Sequence, residues 1–447
     1  MSANALESRE AAGAGLHALL QPQGGLFSSV ARVRAQSAEP RLTTRIARLG
    51  DLSQVGVPVK TKADGRQAVA RLAGAGTGLE DGDGLRPALA EGLERYSTAV
   101  FRKDQFLWGT AEELGAEALD LDTIPRCSRS ELSHPLCPLV APDKRAPIRW
   151  VRGVSLLDGR LVYVPAVMVY LYVGVASPAE RIWLTITTGC AAHVSYERAL
   201  ANAILEVVER DAISLVWLHQ LRLPRIEIDQ VPSLLAPYWE RYQRSTRDLE
   251  YALFDATTDV GFPTVYGIQV ARAHKRLTTL VSCSTEMTPV AAVAKALQDM
   301  TPGRISMRDQ RSVPESLDEF DDVFHGAAYM ARAERAEAFD FLLGSEARRR
   351  LSEMPGVDGA GAQPELGLAL ERLRRRGLEA YAVDLTTDEA VRCGVRVVRV
   401  VVPGLQPLSF HYRARYLGHP RLYEAPVRMG HPARTEQELN PLPQPFA

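Results

Sequence analysis

Cysteine is scarce in this sequence, and no two cysteines form a C-x-x-C motif. The 447 residues include five cysteines: Cys127, Cys137, Cys190, Cys283 and Cys393. An odd and scattered set argues against both a disulfide framework and a self-contained zinc site, and it favours a reducing compartment. The N-terminal sequence also lacks a basic region followed by an apolar run, so we predict no secretory signal and expect a cytoplasmic protein.

Long apolar runs and an excess of charge of one sign are absent as well. The most apolar stretch, residues 161–176, is shorter than the ~20 residues of a spanning helix and is interrupted by Pro165. The formal net charge is -1 at pH 7, so no overall field attracts nucleic acid or an anionic membrane. We therefore expect neither nucleic acid nor a membrane as a partner.

The common sequence motifs for phosphate binding and hydrolysis are also missing. The chain contains no G-x-x-x-x-G-K-[ST], no H-E-x-x-H and no G-x-S-x-G sequence. The stretch from Gly74 to Gly78 is rich in glycine, but it follows no clear strand and departs from the G-x-G-x-x-G order. No known phosphate-binding loop is therefore predicted.

What the sequence does contain is a repeated pattern, E-x-x-E-R. It occurs at residues 91–95 and again at 206–210, each time within helix-forming sequence. Carboxylates three residues apart lie on one face of a helix, so two such helices that meet would bring four carboxylates together. Like charges repel unless cations lie among them, and Mg²⁺ prefers carboxylate and phosphate oxygens. The repeat indicates a Mg-nucleotide site if the helices meet, and two solvated helix faces with intrahelical ion pairs if they do not.

The first part of the chain shows a mixture of helix and strand patterns. Residues 1–40 are rich in Ala, Gly, Ser and Gln and predict a flexible arm with one short helix. A strand near 41–50 and a second at Val57–Val59 are expected, followed by a polar, glycine-rich run and a helix with Pro87 in its first turn. Asp158-Gly159, between two strand-like runs, indicates a hairpin.

The second part continues this mixture, which predicts an α/β fold of the mixed α+β class. Ser195 is a candidate N-cap for a long helix, and three strands are expected within 249–287. A third helix is predicted from Pro289 to Met300, and a charged helical segment over 317–352. Residues 395–402 are almost all β-branched, as is typical of a central strand.

The C-terminal sequence ends in PLPQPFA. Alternate prolines exclude both a helix and a ladder strand, and they favour an extended, polyproline-like rod. We therefore divide the chain into a flexible arm at 1–40, one domain at 41–435 and a proline-rich tail at 436–447.

Several of these segments, in order, resemble the YcaO family of ATP-dependent enzymes that activate backbone amides in ribosomal peptides. The resemblance extends from about Gly56 to the C-terminus. It is carried by VGVPV, ALAEGLERYS, VRGVSLLDGRLVYVPA, TTGCAAHVSYERALANAILEVVERDA, PVAAVAKALQ, EAYAVDLT, VRVVVPGLQPL and RYLGHPRLYE. The PLPQP tail further resembles the azoline-forming cyclodehydratase branch, whose chains end in P-x-P-x-P. Two residues, Phe446 and Ala447, follow the last proline here.

The resemblance implies a YcaO-like fold in which β-sheets pack with acidic helices around an ATP site, with ATP and Mg²⁺ as cofactors. The Mg²⁺ ligands it implies are Glu91, Glu94, Glu206 and Glu209. The nucleotide-binding residues it implies are these four together with Asn202, Gln298 and Arg304. Some polar positions of the family pattern differ in this sequence, which has Pro87, Ala191, His193, Val194 and Arg198 in their place.

The reaction implied is the conversion of Cys, Ser or Thr residues of a precursor peptide into thiazolines or oxazolines. The side chain attacks the preceding amide carbon, the amide oxygen takes the γ-phosphoryl group of ATP, and phosphate is then eliminated. The C-terminal carboxylate of Ala447 would act as the base. Two alternatives remain, namely a thioamide- or amidine-forming YcaO enzyme and a non-catalytic YcaO-like scaffold subunit.

The resemblance also implies partners. The chain has no spare module of ~100 residues to grip a leader peptide, and no cysteine quartet of the kind found in partner proteins of this branch. We therefore expect a separate substrate-recruiting protein of the E1-like or ocin-ThiF type, and a ribosomal precursor peptide. A homodimer is a further expectation.

Overall fold

The computed structural model describes residues 15–21, 25–36, 39–50, 52, 60–61, 67–68, 72–80, 82–244, 249–308, 313–361 and 363–446. Within these ranges, no helix is both long and apolar enough to cross a membrane.

Strands and helices alternate along the described ranges. The strands are β1 (Phe27–Arg34), β2 (Thr43–Leu49), β3 (Lys60–Thr61), β4 (Gln67–Ala68), β5 (Ala73–Gly78), β6 (Leu107–Gly109), β7 (Ile148–Ser155), β8 (Leu161–Pro165), β9 (Cys190–His193), β10 (Arg225–Glu227), β11 (Glu250–Asp255), β12 (Thr264–Val270), β13 (Thr279–Thr285), β14 (Arg348–Arg350), β15 (Tyr381–Asp384) and β16 (Arg396–Val401). The α-helices are α1 (Leu85–Ala99), α2 (Ala111–Leu114), α3 (Arg129–Ser133), α4 (Ala166–Val169), α5 (Tyr196–His219), α6 (Ala236–Arg244), α7 (Pro289–Arg308), α8 (Val323–Met330), α9 (Asp340–Leu343), α10 (Glu365–Arg375), α11 (Asp388–Arg392) and α12 (Pro420–Arg428).

The strands form three larger sheets and one small hairpin. The first sheet has the order β1-β2-β5, the second β13-β12-β11-β10-β14, and the third β6-β7-β15-β16-β9 with β8 also paired to β7; β3 and β4 form the hairpin. Named strands pair antiparallel, apart from the parallel pair β10 and β14. This arrangement confirms the predicted mixed α+β class.

Three helices join the sheets to one another. Helix α1 packs on β5 of the first sheet and also contacts β9 of the third. Helix α5 lies between β9 and β16 of the third sheet and β13 of the second. Helix α7 covers β12 and β13 and reaches β5. Sequence segments far apart in the chain therefore meet around the middle of α5.

Helix α5 belongs to two hydrophobic clusters. Its first turns, including Ala203, Ile204 and Val208, pack with residues of β16. Its last turns, including Ile213 and Trp217, belong to a second cluster that also contains residues of β12 and of the C-terminal tail.

The side chain of Ser195, at the start of α5, accepts a hydrogen bond from the Arg198 amide, which confirms the predicted N-cap.

The prediction of a flexible arm is wrong for part of residues 1–40. Residues 27–34 form β1, which pairs with β2 from Phe27 opposite Leu49 to Arg34 opposite Thr43. The aromatic ring of Phe27 is buried beneath α1, where a Cβ on Gly92 would lie 2.4 Å from it. A single buried aromatic residue thus anchors a segment whose composition suggests disorder. The strand predicted at 57–59 lies outside the described residues.

The expected polar, glycine-rich run is instead the buried strand β5. A Cβ on Gly74 would lie 2.0 Å from the Ala88 carbonyl oxygen, and one on Gly76 would lie 2.2 Å from the Gly84 carbonyl oxygen. The glycines therefore allow the backbone of α1 to lie directly on the strand, a use of glycine that depends on tertiary packing.

Of the remaining structural predictions, two are confirmed and one is wrong. The turn at Asp158-Gly159 and the strand over 395–402 are confirmed, because β7 pairs with β8 and β16 has neighbours on both sides. The charged segment 317–352 is not one helix. It breaks into three 3₁₀ segments, α8, α9 and β14, because Asp322 caps a new helix through the Phe324 amide and β14 pairs with β10.

We predict that replacing Gly74 with alanine lowers the free energy of unfolding by about 3 kcal/mol, the upper part of the usual range for overpacking. The added methyl group would meet helix backbone, which cannot rotate away. Chemical denaturation of the full chain measures the change. The matched control is Gly367→Ala on α10, where a Cβ has no neighbour within 4 Å and helix propensity favours alanine. Equal stability of Gly74→Ala and the wild type would contradict this account of β5.

Candidate functional site

The two E-x-x-E-R segments lie on helices that both contact β9. Burial raises the pKa of the Glu94 carboxyl well above its usual value, and the carboxylates of Glu206 and Glu91 raise it further. Glu94 on α1 therefore lies close enough to Glu206 on α5 to be affected by its charge. The two acidic faces are therefore brought near each other through β9, on which both helices pack.

The first pair is anchored to β5. Glu91 accepts a hydrogen bond from the Ala75 amide through Oε2, at 2.7 Å, and one from Arg95 Nη2 through Oε1, at 2.5 Å. Arg95 also donates through Nη1 to the Ala73 carbonyl oxygen, at 2.6 Å. The glycine-rich strand thus orients the first carboxylate, although it is not a phosphate loop.

The second pair is anchored to the turn before β9 and to the end of β13. Glu206 accepts from the Gly189 amide at 3.1 Å, and Glu209 accepts from the Thr285 amide at 3.1 Å. Arg210 donates to Glu209 at 2.8 Å and to Glu206 at 3.3 Å. Burial raises the pKa of Glu209; Arg210 and Lys295 oppose this shift and Glu206 adds to it.

One glutamate and one arginine of each segment line an open space that we call the acidic cleft. It has a volume of about 420 Å³, and its wall includes Glu91, Arg95, Glu209 and Arg210. Strand β13, helices α7 and α8 and the C-terminal tail complete the wall. The intrahelical ion pairs of the simpler interpretation do form, but they face a common cleft instead of two separate solvated surfaces.

The other nucleotide-binding candidates, Asn202, Gln298 and Arg304, do not line the cleft wall, and neither do Glu94 and Glu206. Asn202 is half-buried, about one turn before Glu206 on α5. The side-chain amide of Gln298 donates to the Thr77 carbonyl oxygen on β5. Arg304 is buried beside Glu39 and Gln269, at 3.3 Å from an oxygen of each. The structure therefore places Glu91 and Glu209 in the cleft wall, with Glu94 and Glu206 near enough to affect the charges of the other glutamates, and it holds Gln298 and Arg304 by contacts to Thr77 and Glu39.

Two polar residues near the cleft were not anticipated from the sequence. Asp299, next to Gln298 in the chain, lines the acidic cleft. Burial raises the pKa of its carboxyl to about 7; Lys295 lowers it, and Glu209 and Glu286 raise it. The spacing of Lys295 and Asp299, four residues apart on a helix, is the signal that could have identified them.

A buried cation lies behind the first glutamate pair. Arg399, on β16, is 2% exposed and donates to the Ile186 carbonyl oxygen at 2.7 Å and to Cys190 Sγ at 3.0 Å. Its charge partly offsets the upward shift in the pKa of Glu94. In the sequence it is one charged residue within a β-branched run, which gave no sign of this role.

The tail approaches the same cleft. Residues 440–446 form neither helix nor strand, in agreement with the predicted extended segment. Phe446 is 5% exposed, and its ring meets the Tyr266 ring edge-on, with centroids 5.3 Å apart. Pro445 and Phe446 form part of the cleft wall. Ala447, the predicted catalytic residue, lies outside the described residues.

The donor set suits Mg²⁺. Across the described ranges, no three carboxylate, imidazole or thiol groups are gathered as a ready-made metal cluster. The four glutamates nevertheless offer only oxygen donors, which is the set that Mg²⁺ prefers. Burial disfavours the charged forms of Glu94 and Glu209, so a divalent cation between the pairs would stabilise them.

Three solved structures share this fold. A heterocyclase in complex with substrate and cofactor superimposes with a TM-score of 0.80 at 22% identity, over 98% of this chain and 57% of that chain. This chain thus spans little more than half the length of that heterocyclase. YcaO from Methanopyrus kandleri, bound with AMPPCP and Mg²⁺, gives 0.62 at 20% identity, over 89% and 91% of the two chains. The E. coli microcin synthetase McbBCD complex with pro-MccB17 bound gives 0.63 at 14% identity, over 96% and 98%.

At these identities the structural likeness establishes the fold alone. The sequence itself matches the family model described as YcaO cyclodehydratase, ATP- and Mg²⁺-binding, over residues 75–406. That range includes both E-x-x-E-R segments, β9 and the strands and helices that position them. Because the match covers well over half of the sequence, the chain belongs to the YcaO family, whose domain binds ATP and Mg²⁺.

Proposed function

We propose that this protein is an ATP-dependent cyclodehydratase that activates backbone amides of a ribosomal precursor peptide and converts Cys, Ser or Thr residues into thiazolines or oxazolines. One observation supports this proposal above all others. One glutamate from each of the two distant E-x-x-E-R segments, Glu91 and Glu209, lines a single cleft, and the proline-rich tail forms part of the wall of the same cleft.

The cleft residues suit the handling of a triphosphate. Glu91, Glu94, Glu206 and Glu209 would hold Mg²⁺, which supplies neutralisation of the phosphate charge. Arg95 and Arg210 line the cleft and can offer guanidinium donors to phosphate oxygens. Catalysis of this kind depends mainly on positioning and on fixed charge, because the chemistry itself needs few protein groups.

The peptide reaction needs a leaving group and a base. An amide oxygen leaves poorly, and transfer of the γ-phosphoryl group of ATP to it, after attack by the side-chain thiol or hydroxyl, allows loss as phosphate. We assign the base that takes the proton of the thiol or hydroxyl to the C-terminal carboxylate of Ala447. Support comes from Phe446, which precedes it and lies in the cleft wall.

The tail is held firmly on its way to the cleft. The Asn440 amide donates to the Leu218 carbonyl oxygen at 2.8 Å, and Arg415 donates to the Asn440 carbonyl oxygen at 2.7 Å. Trp217 Nε1 donates to the Leu442 carbonyl oxygen at 3.2 Å. A tail fixed in this way loses little conformational entropy when it positions its terminal group.

We further propose a separate substrate-recruiting partner of the E1-like or ocin-ThiF type, and a cytoplasmic location. The chain matches 98% of the length of a chain in the microcin synthetase complex but 57% of the heterocyclase chain. The microcin synthetase neighbour is a complex with pro-MccB17 bound, which supports recruitment of a precursor peptide by another subunit. The free state of all five cysteines agrees with a reducing compartment.

The main rival is a non-catalytic scaffold subunit. Arg198, at a position where the family pattern has glutamate, pairs with Glu365 on α10 and not with the cleft. One polar contribution to the site is therefore replaced by a structural ion pair. A thioamide- or amidine-forming YcaO enzyme would share the ATP chemistry, but the proline-rich tail favours the azoline reaction.

We expect the double substitution Glu206→Gln and Glu209→Gln to lower ATP turnover by at least ~100-fold, since each removes charge from the cation site. Phosphate release with the partner and precursor peptide present measures this loss. The melting temperature should fall by a few degrees, because Arg210 loses both of its carboxylate partners, whereas the amide oxygens can still accept from Gly189 and Thr285. The matched control is Glu371→Gln, whose carboxylate pairs with Arg375 on α10. Unchanged peptide modification by the double variant would reject the enzyme in favour of the scaffold.

A chain shortened by Ala447 alone tests the base. The carboxylate then withdraws by about 3.3–3.6 Å, the reach of one extended residue, whereas the buried Phe446 is retained. We expect azoline formation to fall at least ~10-fold with an unchanged melting temperature. Removal of Ala447 alone is a more specific test than removal of residues 441–447. The longer deletion would also remove Leu442 and Phe446, which contribute to a hydrophobic cluster. Ala447→Ser, which keeps the carboxylate in place, is the control, and full activity of the shortened chain would refute the assignment.

A further inference from the structure

A small apolar pocket shares one wall residue, Arg210, with the acidic cleft. Its volume is about 40 Å³, and most of its other lining side chains are hydrocarbon, among them Met168, Leu184, Ile186, Val207 and Leu405. No carboxylate is among the described residues that line it. The pocket therefore differs in character from the cleft, although Arg210 borders both spaces.

The pocket combines buried side chains with partly exposed ones. Val400 and Leu405 are 2% exposed or less, whereas Leu184, Ile186 and Val207 are only half-buried. Half-buried apolar side chains next to fully buried ones are typical of an open concave site, because a sealed cavity would bury all of its lining. A group from outside the chain can therefore enter the pocket and cover these side chains.

One wall of the pocket is fixed although it belongs to no regular element. Residues 183–188 form neither helix nor strand. The Leu184 amide nevertheless donates to the Tyr416 hydroxyl at 3.0 Å, and Arg399 donates to the Ile186 carbonyl oxygen at 2.7 Å. A wall that is held in place before binding can select a ligand by shape, because little ordering remains to be done on binding.

The size and lining of the pocket limit what it can hold. A water molecule needs roughly 10–15 Å³ by this kind of measure, so about three water molecules fit, or a side chain of three or four carbon atoms. An adenine ring and an indole ring are larger than this. The charge of Arg210 is already paired with Glu206 and Glu209, and the remaining lining is mostly apolar, so a hydrocarbon group is favoured over an ion.

The peptide that undergoes the proposed reaction would reach this pocket. The amide oxygen would take its phosphoryl group in the acidic cleft, whose wall includes Arg210. That oxygen belongs to the residue before the cyclised Cys, Ser or Thr, and the Cβ atom of the same residue lies about 3 Å from it. Because Arg210 also borders the pocket, the side chain of this preceding residue is the part of the peptide best placed to enter.

We propose that the pocket receives the side chain of the precursor-peptide residue immediately before the cyclised Cys, Ser or Thr, and that it selects a small branched apolar side chain such as that of valine. The inference rests on the proposed function and adds a specificity determinant to it. Glycine would leave the pocket to water, and tryptophan would be too large for it. An aspartate side chain would lose its hydration among apolar side chains.

Turnover of a peptide series tests the inference. The full chain is assayed with its partner, ATP and Mg²⁺ on precursor peptides that keep one cysteine and carry Gly, Val or Trp before it. Azoline formation, followed by mass spectrometry as loss of water, should give a kcat/KM at least ~10-fold higher for the Val peptide than for the other two. Equal values across the series would overturn the inference and leave the proposed function intact. No azoline from any peptide would reject the proposed function, and the inference with it.

Substitutions in the pocket then locate the preference. Ile186→Trp would fill the pocket and should bring kcat/KM for the Val peptide down towards that for the Gly peptide. Leu184→Ala would enlarge it and should raise kcat/KM for the Trp peptide relative to the Val peptide, which gives a second measurement if Ile186→Trp fails to fold. The matched control is Leu234→Trp, at a side chain that is 56% exposed, which should leave the ratios unchanged. A preference that both pocket variants leave unaltered would also overturn the inference.

Discussion

Repulsion among four glutamates at the junction of α1, α5 and β9 is the constraint on which the rest of the structure depends. Burial and the charges of Glu206 and Glu91 both disfavour the ionised form of Glu94. Such a grouping persists only where the surrounding fold enforces it. Here backbone amides of β5, of the turn before β9 and of β13 each hold one carboxylate. All three larger sheets therefore contribute to one site, which explains why the segments that build it are so far apart in sequence.

The position of the site within α5 follows from how that helix is buried. Residues up to Val208 belong to one hydrophobic cluster, and residues from Ile213 belong to another. Glu209 and Arg210 lie between these two clusters. At this point of the helix, polar side chains can reach the cleft. The tail packs on the second core through Phe446. The cleft therefore has acidic helices on one side and the chain terminus on the other.

The sequence predicted the parts of this site that depend on local periodicity. The spacing of Glu206 and Glu209 fixes them to one face of a helix wherever that helix lies. The strand β5 was not predicted, because Gly74 is explained only by the nearness of the Ala88 backbone. Likewise, no local pattern decides whether Gln298 or its neighbour faces the cleft, since adjacent helical positions differ by about 100°. Arg304 turns towards Glu39, a partner that lies far from it in the sequence, near the N-terminus.

The two interpretations of the E-x-x-E-R pattern prove to be compatible. Arg95 and Arg210 pair with glutamates of their own helices, as expected for an ordinary helix surface. These pairs place a guanidinium beside Glu91, Glu206 and Glu209, and so stabilise a cluster of negative charge in the free protein. A bound cation would take over that neutralisation, and the same arginines, already in the cleft wall, would then be free to bind phosphate oxygens. An intrahelical ion pair is therefore no argument against a nucleotide site when two copies of the pattern share one cleft.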